Sequence, residues 1–363
     1  MHDADRRDKE EDIDGGFGRV GRALADQIAA STGGPAVRVV GLLDRSGYVF
    51  DPRGISRRRL GELARQKDAG KLLSSLGGRA ASASDALTFM AGHAVSRPIV
   101  VDVTSENTSD LLCAALGHGF DVVMANKRPL AGSWESYERL WAAASKADGR
   151  RIRYEATVGA GLPILDTYLK LAETGDRVLR VDGAVSGTLG YITSAISNGR
   201  PFSEAVREAV ALGYAEPDAR EDLSGRDAAR KALILARQMG YRGPAPTPDD
   251  LVPRALTSVS RDEFMRRLPE FDAEWTSRVQ REAAKGRVLR YVVSATPKSV
   301  SARLIAVPTS SPIGALQGTR NLIAFTTRRY RKEPLVVSGP GAGPDVTAAG
   351  ILNDILLLAN TTA

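Results

Sequence analysis

The sequence has almost no cysteine, which excludes several kinds of chemistry. Of its 363 residues only Cys113 is a cysteine, so no disulfide can form within the chain. Cys113 lies in the apolar run LLCAALG, a setting typical of a core thiol rather than of a nucleophile. We therefore expect the protein to work without cysteine chemistry.

Long apolar runs are missing as well. No stretch of the chain approaches the ~20 apolar residues that span a bilayer. The first fourteen residues, MHDADRRDKEEDID, also lack the apolar core of a secretory signal. These absences predict a cytoplasmic protein that does not enter a membrane.

The same fourteen residues contain only three apolar side chains, Met1, Ala4 and Ile13. A segment so rich in charge buries too little apolar surface to order itself, so we expect residues 1–14 to be disordered. A G-x-G-x-x-G pattern formed by Gly16, Gly18 and Gly21 follows directly. In a nucleotide-binding βαβ unit a buried strand precedes this pattern and a helix follows it, and the helix N–H groups face the pyrophosphate. Here the helical pattern is present and the preceding strand is missing.

The charge balance gives little support to a nucleic-acid partner. The formal net charge is +7, but the basic residues are spread along the chain and interleaved with acidic ones. Two short basic clusters, at 56–60 and 328–332, lack the repeated aromatic interleaving expected of a single-strand binder. We expect no nucleic-acid partner, and the excess charge favours small anionic ligands.

The length and apolar content predict two domains. Short apolar runs at 36–44, 98–104 and 121–126 alternate with helical patterns, which indicates a Rossmann-type, doubly wound parallel sheet whose first strand is missing. Runs at 178–187, 287–295 and 301–308 indicate an α+β second domain. We place the nucleotide-binding domain at 1–150, the second domain at 151–334, and at 335–363 a segment that returns to the first domain.

Two charged positions follow predicted strands of the first domain. Asp44 ends the run AVRVVGLLD, about where a dinucleotide fold places the carboxylate for the ribose 2′-hydroxyl, and the adjacent Arg45 can instead meet a 2′-phosphate. The choice between NAD and NADP stays open. Lys127 follows the run DVVMAN, at the sheet edge where open α/β sheets bind ligands.

Residues 213–240 gather carboxylates ahead of a lysine. Asp227 and Lys231 form an i,i+4 pair on one helix face, and Ser224 is predicted to be the N-cap of that helix. Capping and a surface ion pair explain these residues without catalysis. They do not explain why Glu216 and Asp222 crowd the same loop.

Two glycine-rich turns are further candidates. In YEATVGAGLPIL (154–165) a carboxylate precedes a turn whose carbonyls can point at a hard cation such as Na⁺, or which is simply tight. In GPGAGPDVTAAG (339–350) a turn opens a helix, and it either approaches a phosphate, ribose or nicotinamide or only packs.

Together these stretches resemble homoserine dehydrogenase. The matching segments are VDVTS (101–105), ANK (125–127), YEATVGAGLPI (154–164), VSGTLGYI (185–192), GYAEPDAREDLSGRDAARK (213–231) and GPGAGPDVTAAG (339–350). The resemblance implies reversible NAD(P)H-dependent reduction of L-aspartate 4-semialdehyde to L-homoserine, in aspartate-family amino-acid biosynthesis. It also implies a homodimer formed through the second domain, in the short, monofunctional form of the enzyme without a regulatory extension.

The resemblance assigns roles residue by residue. Lys231 would be the general acid and base, with Lys127 beside it at the nicotinamide. The substrate would be held by Glu216 and Asp227, with Asp222 in the same loop. The cofactor contacts would be Gly16, Phe17, Gly18, Val20, Thr104, Lys127, Gly213 and Gly343, to which the dinucleotide pattern adds Gly21, Asp44 and Arg45. Na⁺ would be held by Glu155 and the carbonyls of Val158, Ala160 and Leu162.

The lysine suits this reaction. Negative charge grows on the aldehyde oxygen as hydride reaches the carbon, and a lysine both stabilises the alkoxide and gives up a proton. Arginine is effectively always protonated and cannot do the second.

The sequence departs from the family in two places. Met124 stands where the family usually has threonine, and the charged residues 1–14 stand where it has an apolar strand. Two other functions therefore stay open: a non-catalytic relic or interaction protein with a damaged nucleotide site, and an oxidoreductase acting on another amino-acid semialdehyde.

Overall fold

The structure is a computed structural model that describes residues 17–31, 37–147 and 150–360. The chain divides into two compact units, a first unit of residues 1–157 with 344–363 and a second unit of residues 158–343. The sequence predicted that the chain passes from one domain to the other after residue 150 and returns after residue 334. The structure places both crossings later because the strand after residue 150 pairs within the first unit, and residues 335–340 pair within the second.

The first unit mixes helices and strands along the chain, whereas the second unit groups most of its helices between its first two strands. The first half of the chain contains α1 (Arg19–Ala30), β1 (Gly41–Asp44), β2 (Gly47–Phe50), α2 (Arg57–Asp68), α3 (Ala83–Ala91), β3 (Ile99–Asp102), α4 (Ser109–Gly117), β4 (Asp121–Met124), α5 (Arg128–Ala131), α6 (Trp134–Lys146), β5 (Ile152–Arg153) and α7 (Ile164–Glu173). The second half contains β6 (Val178–Ala184), α8 (Gly187–Ser197), α9 (Phe202–Ala211), α10 (Arg220–Leu223), α11 (Arg226–Gln238), α12 (Arg261–Arg267), α13 (Asp272–Ala283), β7 (Arg287–Ala295), β8 (Val300–Pro308), β9 (Arg320–Thr327), β10 (Leu335–Pro340) and α14 (Pro344–Asn360).

A small parallel sheet lies at the centre of the first unit. Its strand order is β3-β4-β5, with β4 in the middle. Every residue of β4 is buried, as expected for a parallel strand that is covered on both faces. The carboxyl ends of β3 and β4 therefore lie side by side at one edge of this sheet.

The strand predicted at 36–44 does not join that sheet. Only Gly41–Asp44 is a strand, and it pairs antiparallel with β2 across a two-residue turn at Arg45 and Ser46. In a doubly wound fold the first strand of the fold lies at the centre of the sheet and pairs with strands on both sides. Among the described residues, no strand joins β1 and β3 into one sheet in this way. The sequence analysis missed β2, although Gly47 after a two-residue turn is a hairpin signal.

The C-terminal helix belongs to the first unit. Helix α14 packs against α1 in an apolar cluster that includes Leu24, Val123 and Ile351. Its buried Asp354 accepts hydrogen bonds from Arg153 Nε at 2.7 Å and from the Glu155 amide at 2.8 Å. These bonds fix the segment that leaves β5.

The second unit is built on a five-stranded antiparallel sheet in the order β10-β9-β6-β7-β8. Strands β6, β7 and β8 lie close to their predicted positions, because each is a short run rich in β-branched and apolar residues. Helices α8 and α11 pack against β7. Both the α+β second unit and the α/β first unit agree with the expected fold class.

Within the part of the chain that the structure describes, no helix is long and apolar enough to cross a membrane.

Candidate active site

The glycine turn of the first unit opens helix α1. Gly18 is the N-cap of the helix, and a glycine there offers no side chain to compete for the N–H groups of the first turn. Phe17 is 1% exposed and packs in an apolar cluster, so its side chain is part of the core. Val20 and Gly21 are half-buried in the first turn of the helix, and Gly16 lies outside the described residues. The turn has the form of a phosphate site.

The Asp44 carboxylate is hydrogen-bonded within the protein through both of its oxygens. Its Oδ2 lies 2.9 Å from Lys67 Nζ and accepts from the Leu73 amide at 2.9 Å, and its Oδ1 accepts from Ser46. Burial raises the pKa of Asp44, but the hydrogen bonds from Ser46, Leu73 and Lys67 outweigh it, so the pKa lies below its ordinary value. Its predicted role as a ribose ligand therefore finds no support in this geometry, whereas Arg45 beside it is exposed.

Polar side chains meet where β3 and β4 end. Asp102, the last residue of β3, accepts from the Thr104 hydroxyl at 2.7 Å and from Asn126 Nδ2 at 2.9 Å. Asn126 follows β4 and precedes Lys127, the N-cap of α5. The structure thus places Thr104 and Lys127, two predicted cofactor contacts, at the carboxyl edge of one sheet, where α/β folds bind ligands.

Lys231 lies in the second unit on helix α11. Its side chain is 12% exposed, and its ammonium group lies 2.8 Å from Asp227 Oδ2. It also donates to the Val185 carbonyl at 2.8 Å, just beyond the end of β6. A purely surface i,i+4 pair would not bury the lysine or tie it to another segment. The geometry therefore favours a functional site around Lys231 over a simple surface ion pair.

Asp222 lies in the same neighbourhood. Its two oxygens accept from Thr188 Oγ1 at 3.0 Å and from the Glu216 amide at 2.8 Å. Burial raises the pKa of Asp222, and the nearby Asp227 adds to this effect. The bond to the Glu216 amide explains why these two acidic residues share one loop, while the Glu216 side chain itself is exposed.

The predicted N-cap of this helix is wrong. Helix α11 begins at Arg226 and its N-cap is Gly225, with φ 67°. A Cβ atom at Gly225 would overlap the Tyr291 hydroxyl, so both the left-handed backbone and the close packing require glycine. Ser224 instead donates its hydroxyl to the Glu221 carbonyl at 2.6 Å.

Asp222 gives a prediction about pH. Because its folded-state pKa lies above the ordinary value of 3.8, its contribution to stability is complete below that pH and is lost as the pH rises through the folded-state pKa. An asparagine at this position has no charge to bury. The difference in unfolding free energy between Asp222→Asn and the wild type should therefore shift in favour of the variant as the pH rises to neutral. Urea midpoints measured across this range test it.

Asp218 provides the control with the opposite sign. The hydrogen bond from Arg220 is the main reason that the pKa of Asp218 lies below its ordinary value. Asp218→Asn should therefore lose stability relative to the wild type as the pH rises. If both variants changed in the same direction, the burial of the Asp222 carboxylate would not govern its titration.

Comparison with known proteins decides the family. The model "Homoserine dehydrogenase, NAD binding domain" matches residues 16–155, and the model "Homoserine dehydrogenase" matches residues 163–356. The chain belongs to the homoserine dehydrogenase family.

Individual relatives agree with this assignment. A homoserine dehydrogenase of Emericella nidulans is 38% identical over 362 residues, which cover 94% of this chain and 96% of the relative. A bifunctional aspartokinase/homoserine dehydrogenase of Zea mays is 38% identical, and the chain spans only 38% of its length. A hyperthermophilic archaeal homoserine dehydrogenase solved with NADPH is similar with a TM-score of 0.71 and 28% identity, over 94% of each chain.

The glycine-rich turn at 154–165 contains two successive residues with a left-handed backbone. Gly159 and Ala160 both have positive φ, 83° and 55°, and Ala160 is one of two non-glycine residues of the described chain with that conformation. Glu155 ends the first unit, whereas Val158, Ala160 and Leu162 begin the second. Between residues 17 and 360, apart from 32–36 and 148–149, no three His, Cys, Asp or Glu side chains gather as metal ligands. One carboxylate with three carbonyls would be a different kind of site, and the Na⁺ assignment stays a prediction.

The remaining predicted contacts are also at turns. Gly213 and Gly343 have φ of 69° and 121°, and Gly343 is the last residue of the second unit.

Met124, which replaces the family's threonine, is fully buried in β4. Cys113 is half-buried, and burial raises the pKa of its thiol, as expected for a residue outside the chemistry.

Sequence reasoning missed three residues of the candidate site. Asp102 and Asn126 bind each other beneath Thr104 and Lys127, and Thr188 binds Asp222. The available signal was their position: each is a polar residue at or just past the end of an apolar strand, inside a segment that already carried the resemblance.

Proposed function

We propose that this chain catalyses the reversible NAD(P)H-dependent reduction of L-aspartate 4-semialdehyde to L-homoserine. The observation that carries the proposal is the largely buried Lys231, bonded to Val185 and Asp227, in a chain that matches the family along nearly its whole length. The bound coenzyme would supply or accept the hydride. All other steps belong to side chains of the protein.

Lys231 would move the proton. An ammonium group has three N–H donors, and the described chain uses two of them, at Val185 O and Asp227 Oδ2. The third can reach a substrate oxygen, stabilise the negative charge that develops there, and then transfer its proton. In the reverse reaction the neutral amine takes the proton from the hydroxyl of homoserine.

The acidic loop would bind the other end of the substrate. Glu216, Asp222 and Asp227 lie within twelve positions of one another, and the Glu216 amide is already fixed by Asp222. A substrate ammonium group needs a carboxylate as its hydrogen-bond acceptor, which Glu216 and Asp227 would provide. Asp222 would mainly hold the loop in place.

The coenzyme would bind to the first unit through the glycine turn at its pyrophosphate and through Thr104 and Lys127 at its nicotinamide end. At the ribose, Asp44 is held by Lys67 while Arg45 is exposed, which supports recognition of the 2′-phosphate of NADP. Gly213 and Gly343 complete the proposed contacts. We also propose that Glu155, Val158, Ala160 and Leu162 bind Na⁺.

The direct test incubates the purified chain with L-homoserine and NADP⁺ and follows the appearance of NADPH. A steady rate that depends on both substrates supports the proposal. Oxidation of a different hydroxy amino acid at a much higher kcat/KM would assign the chain to another semialdehyde. A chain that binds no NADPH in a fluorescence titration would be the non-catalytic relic.

Glu216→Gln is expected to raise the KM for homoserine about fivefold to tenfold with little change in kcat. The amide keeps the shape and loses the charge that pairs with the substrate ammonium, a loss of roughly 1 kcal/mol for an exposed side chain. Glu204→Gln, an exposed glutamate on α9, is the matched control. Equal KM values for the two variants would remove Glu216 from the binding site.

Two further properties complete the proposal. The family resemblance supports a homodimer formed through the second unit, which analytical ultracentrifugation would detect. A cytoplasmic location is also proposed, which fractionation of the source cell would test. The product would enter aspartate-family amino-acid biosynthesis.

A further inference from the structure

The edge of the parallel sheet contains two short turns that are joined to each other. In the first, the Thr104 amide and hydroxyl both donate to Asp102 Oδ1, at 3.0 and 2.7 Å, so the aspartate side chain closes a turn around residue 103. In the second, the Arg128 amide donates to Asn126 Oδ1 at 3.0 Å, so the asparagine side chain closes a turn around Lys127. Aspartate and asparagine commonly hold the chain in this way, in Asx turns.

The Asn126 side chain couples the two turns, since its Nδ2 lies at hydrogen-bond distance from both the Asp102 carboxylate and the Thr104 hydroxyl. Asn126 Nδ2 lies 2.9 Å from Asp102 Oδ2 and 2.7 Å from the Glu106 carbonyl. The two side chains are only 4% and 5% exposed, so water cannot replace this bond cheaply. The Asp102 carboxylate is further held by the Thr108 hydroxyl at 2.5 Å.

We propose that Asp102 and Asn126 are positioning residues that set Thr104 and Lys127 in a fixed relation at the nicotinamide end of the coenzyme. This inference rests on the proposed function for the identity of the ligand. Neither side chain needs to touch the coenzyme. Each closes the turn that carries one contact residue, and the bond between them fixes the spacing of the two.

The pair has a feature that makes it testable. Its coupling needs one donor and one acceptor, and the order of the two can be exchanged. Asn126→Asp keeps the acceptor for the Arg128 amide but removes the Nδ2 donor that binds Asp102 and the Glu106 carbonyl, and it places two carboxyl groups at hydrogen-bond distance. Asp102→Asn combined with Asn126→Asp restores a donor opposite an acceptor between the two side chains and keeps both turns closed, but it leaves the Glu106 carbonyl without its donor, so the expected recovery is partial.

The experiment measures NADPH affinity by fluorescence titration and homoserine kinetics for both variants. Asn126→Asp should weaken NADPH binding about tenfold or more while the KM for homoserine changes less than twofold, and the double variant should recover a substantial part of the loss. Asn198→Asp, an exposed asparagine that donates to Gln317, introduces the same charge and should bind NADPH like the wild type. A purely structural role would instead weaken NADPH binding and raise the KM for homoserine together.

A second variant covers the case in which Asn126→Asp does not fold. A serine at this position can still close a weaker turn with the Arg128 amide, but its shorter side chain gives up the bond to Asp102, so Asn126→Ser should also weaken NADPH binding. Wild-type affinity in either folded single variant, or a double variant no better than Asn126→Asp, would overturn the proposal. A chain that binds NADPH but does not oxidise homoserine would refute the proposed function alone, because the titration does not depend on turnover.

Discussion

Lys231→Ala is expected to lower kcat by roughly 10²- to 10⁴-fold, the usual range for a positioned acid-base group. The wild-type lysine is bonded at 2.8 Å both to the Val185 carbonyl and to Asp227, so its ammonium group is held in one place before the substrate arrives. Alanine removes both the proton source and the positive charge near the developing alkoxide. Steady-state kinetics in both reaction directions give the size of the effect.

The control for this variant is a lysine whose ion pair is only structural. Lys285 pairs with Glu282 at 3.0 Å near the end of α13, and its side chain is 55% exposed. Lys285→Ala should keep its rate and lose at most a few tenths of a kcal/mol of unfolding free energy. If Lys231→Ala kept more than half of the wild-type rate, its pair with Asp227 would have to be read in the same structural way.

A Lys231→Arg variant separates charge from proton transfer. Arginine keeps the positive charge but does not give up its proton at the pH of the assay. We expect it to remain well below the wild-type rate. Recovery to that rate would mean that Lys231 acts only through its charge.

The second large effect concerns the segment before the glycine turn. Replacing residues 8–15 with an alternating Val/Ile strand that ends in glycine should raise NADPH affinity by two orders of magnitude or more. Among the residues that the structure describes, β3 pairs only with β4 and β1 only with β2. The half-buried Ile99, Val100 and Val101 of β3 are suited to a further apolar neighbour.

The size of this effect follows from backbone entropy. Ordering a residue costs roughly 1–2 kcal/mol, so each residue that became fixed only when the coenzyme binds would lower the affinity by that amount. A strand running into the turn would fix it beforehand. NADPH titration and a denaturant melt of the replaced and unreplaced chains measure affinity and stability separately.

A replacement of the same length by alternating glycine and serine is the matched control, because it cannot add a buried strand. It should leave NADPH affinity near that of the unreplaced chain. If the unreplaced chain already binds NADPH at low micromolar Kd and the Val/Ile strand changes nothing, then the glycine turn needs no apolar strand from residues 8–15.

Family membership and the fold class could be predicted because several separated segments each have a local signature. The strand at Arg287–Ala295 was found at its bounds, since its run of apolar and β-branched residues is a local pattern. The pairing of β1 could not be predicted in this way. Its sequence suits a parallel strand, but the choice of partner depends on which other strands are present.

The sequence by itself predicted which residues are candidates for the chemistry, because glycine turns, strand ends and helix pairs are local patterns. It did not fix the unit of every one, since the structure places Glu155 in the first unit and Gly343 in the second. The tertiary structure alone decided their partners. In the folded chain Asp44 pairs with Lys67, and the N-cap of α11 is Gly225 rather than Ser224. Asp102 bonds to Asn126, which lies 24 positions away in the sequence. A buried polar group must find a hydrogen-bond partner wherever the packed chain supplies one. Local sequence cannot specify that partner, since it comes from a segment that only folding brings near.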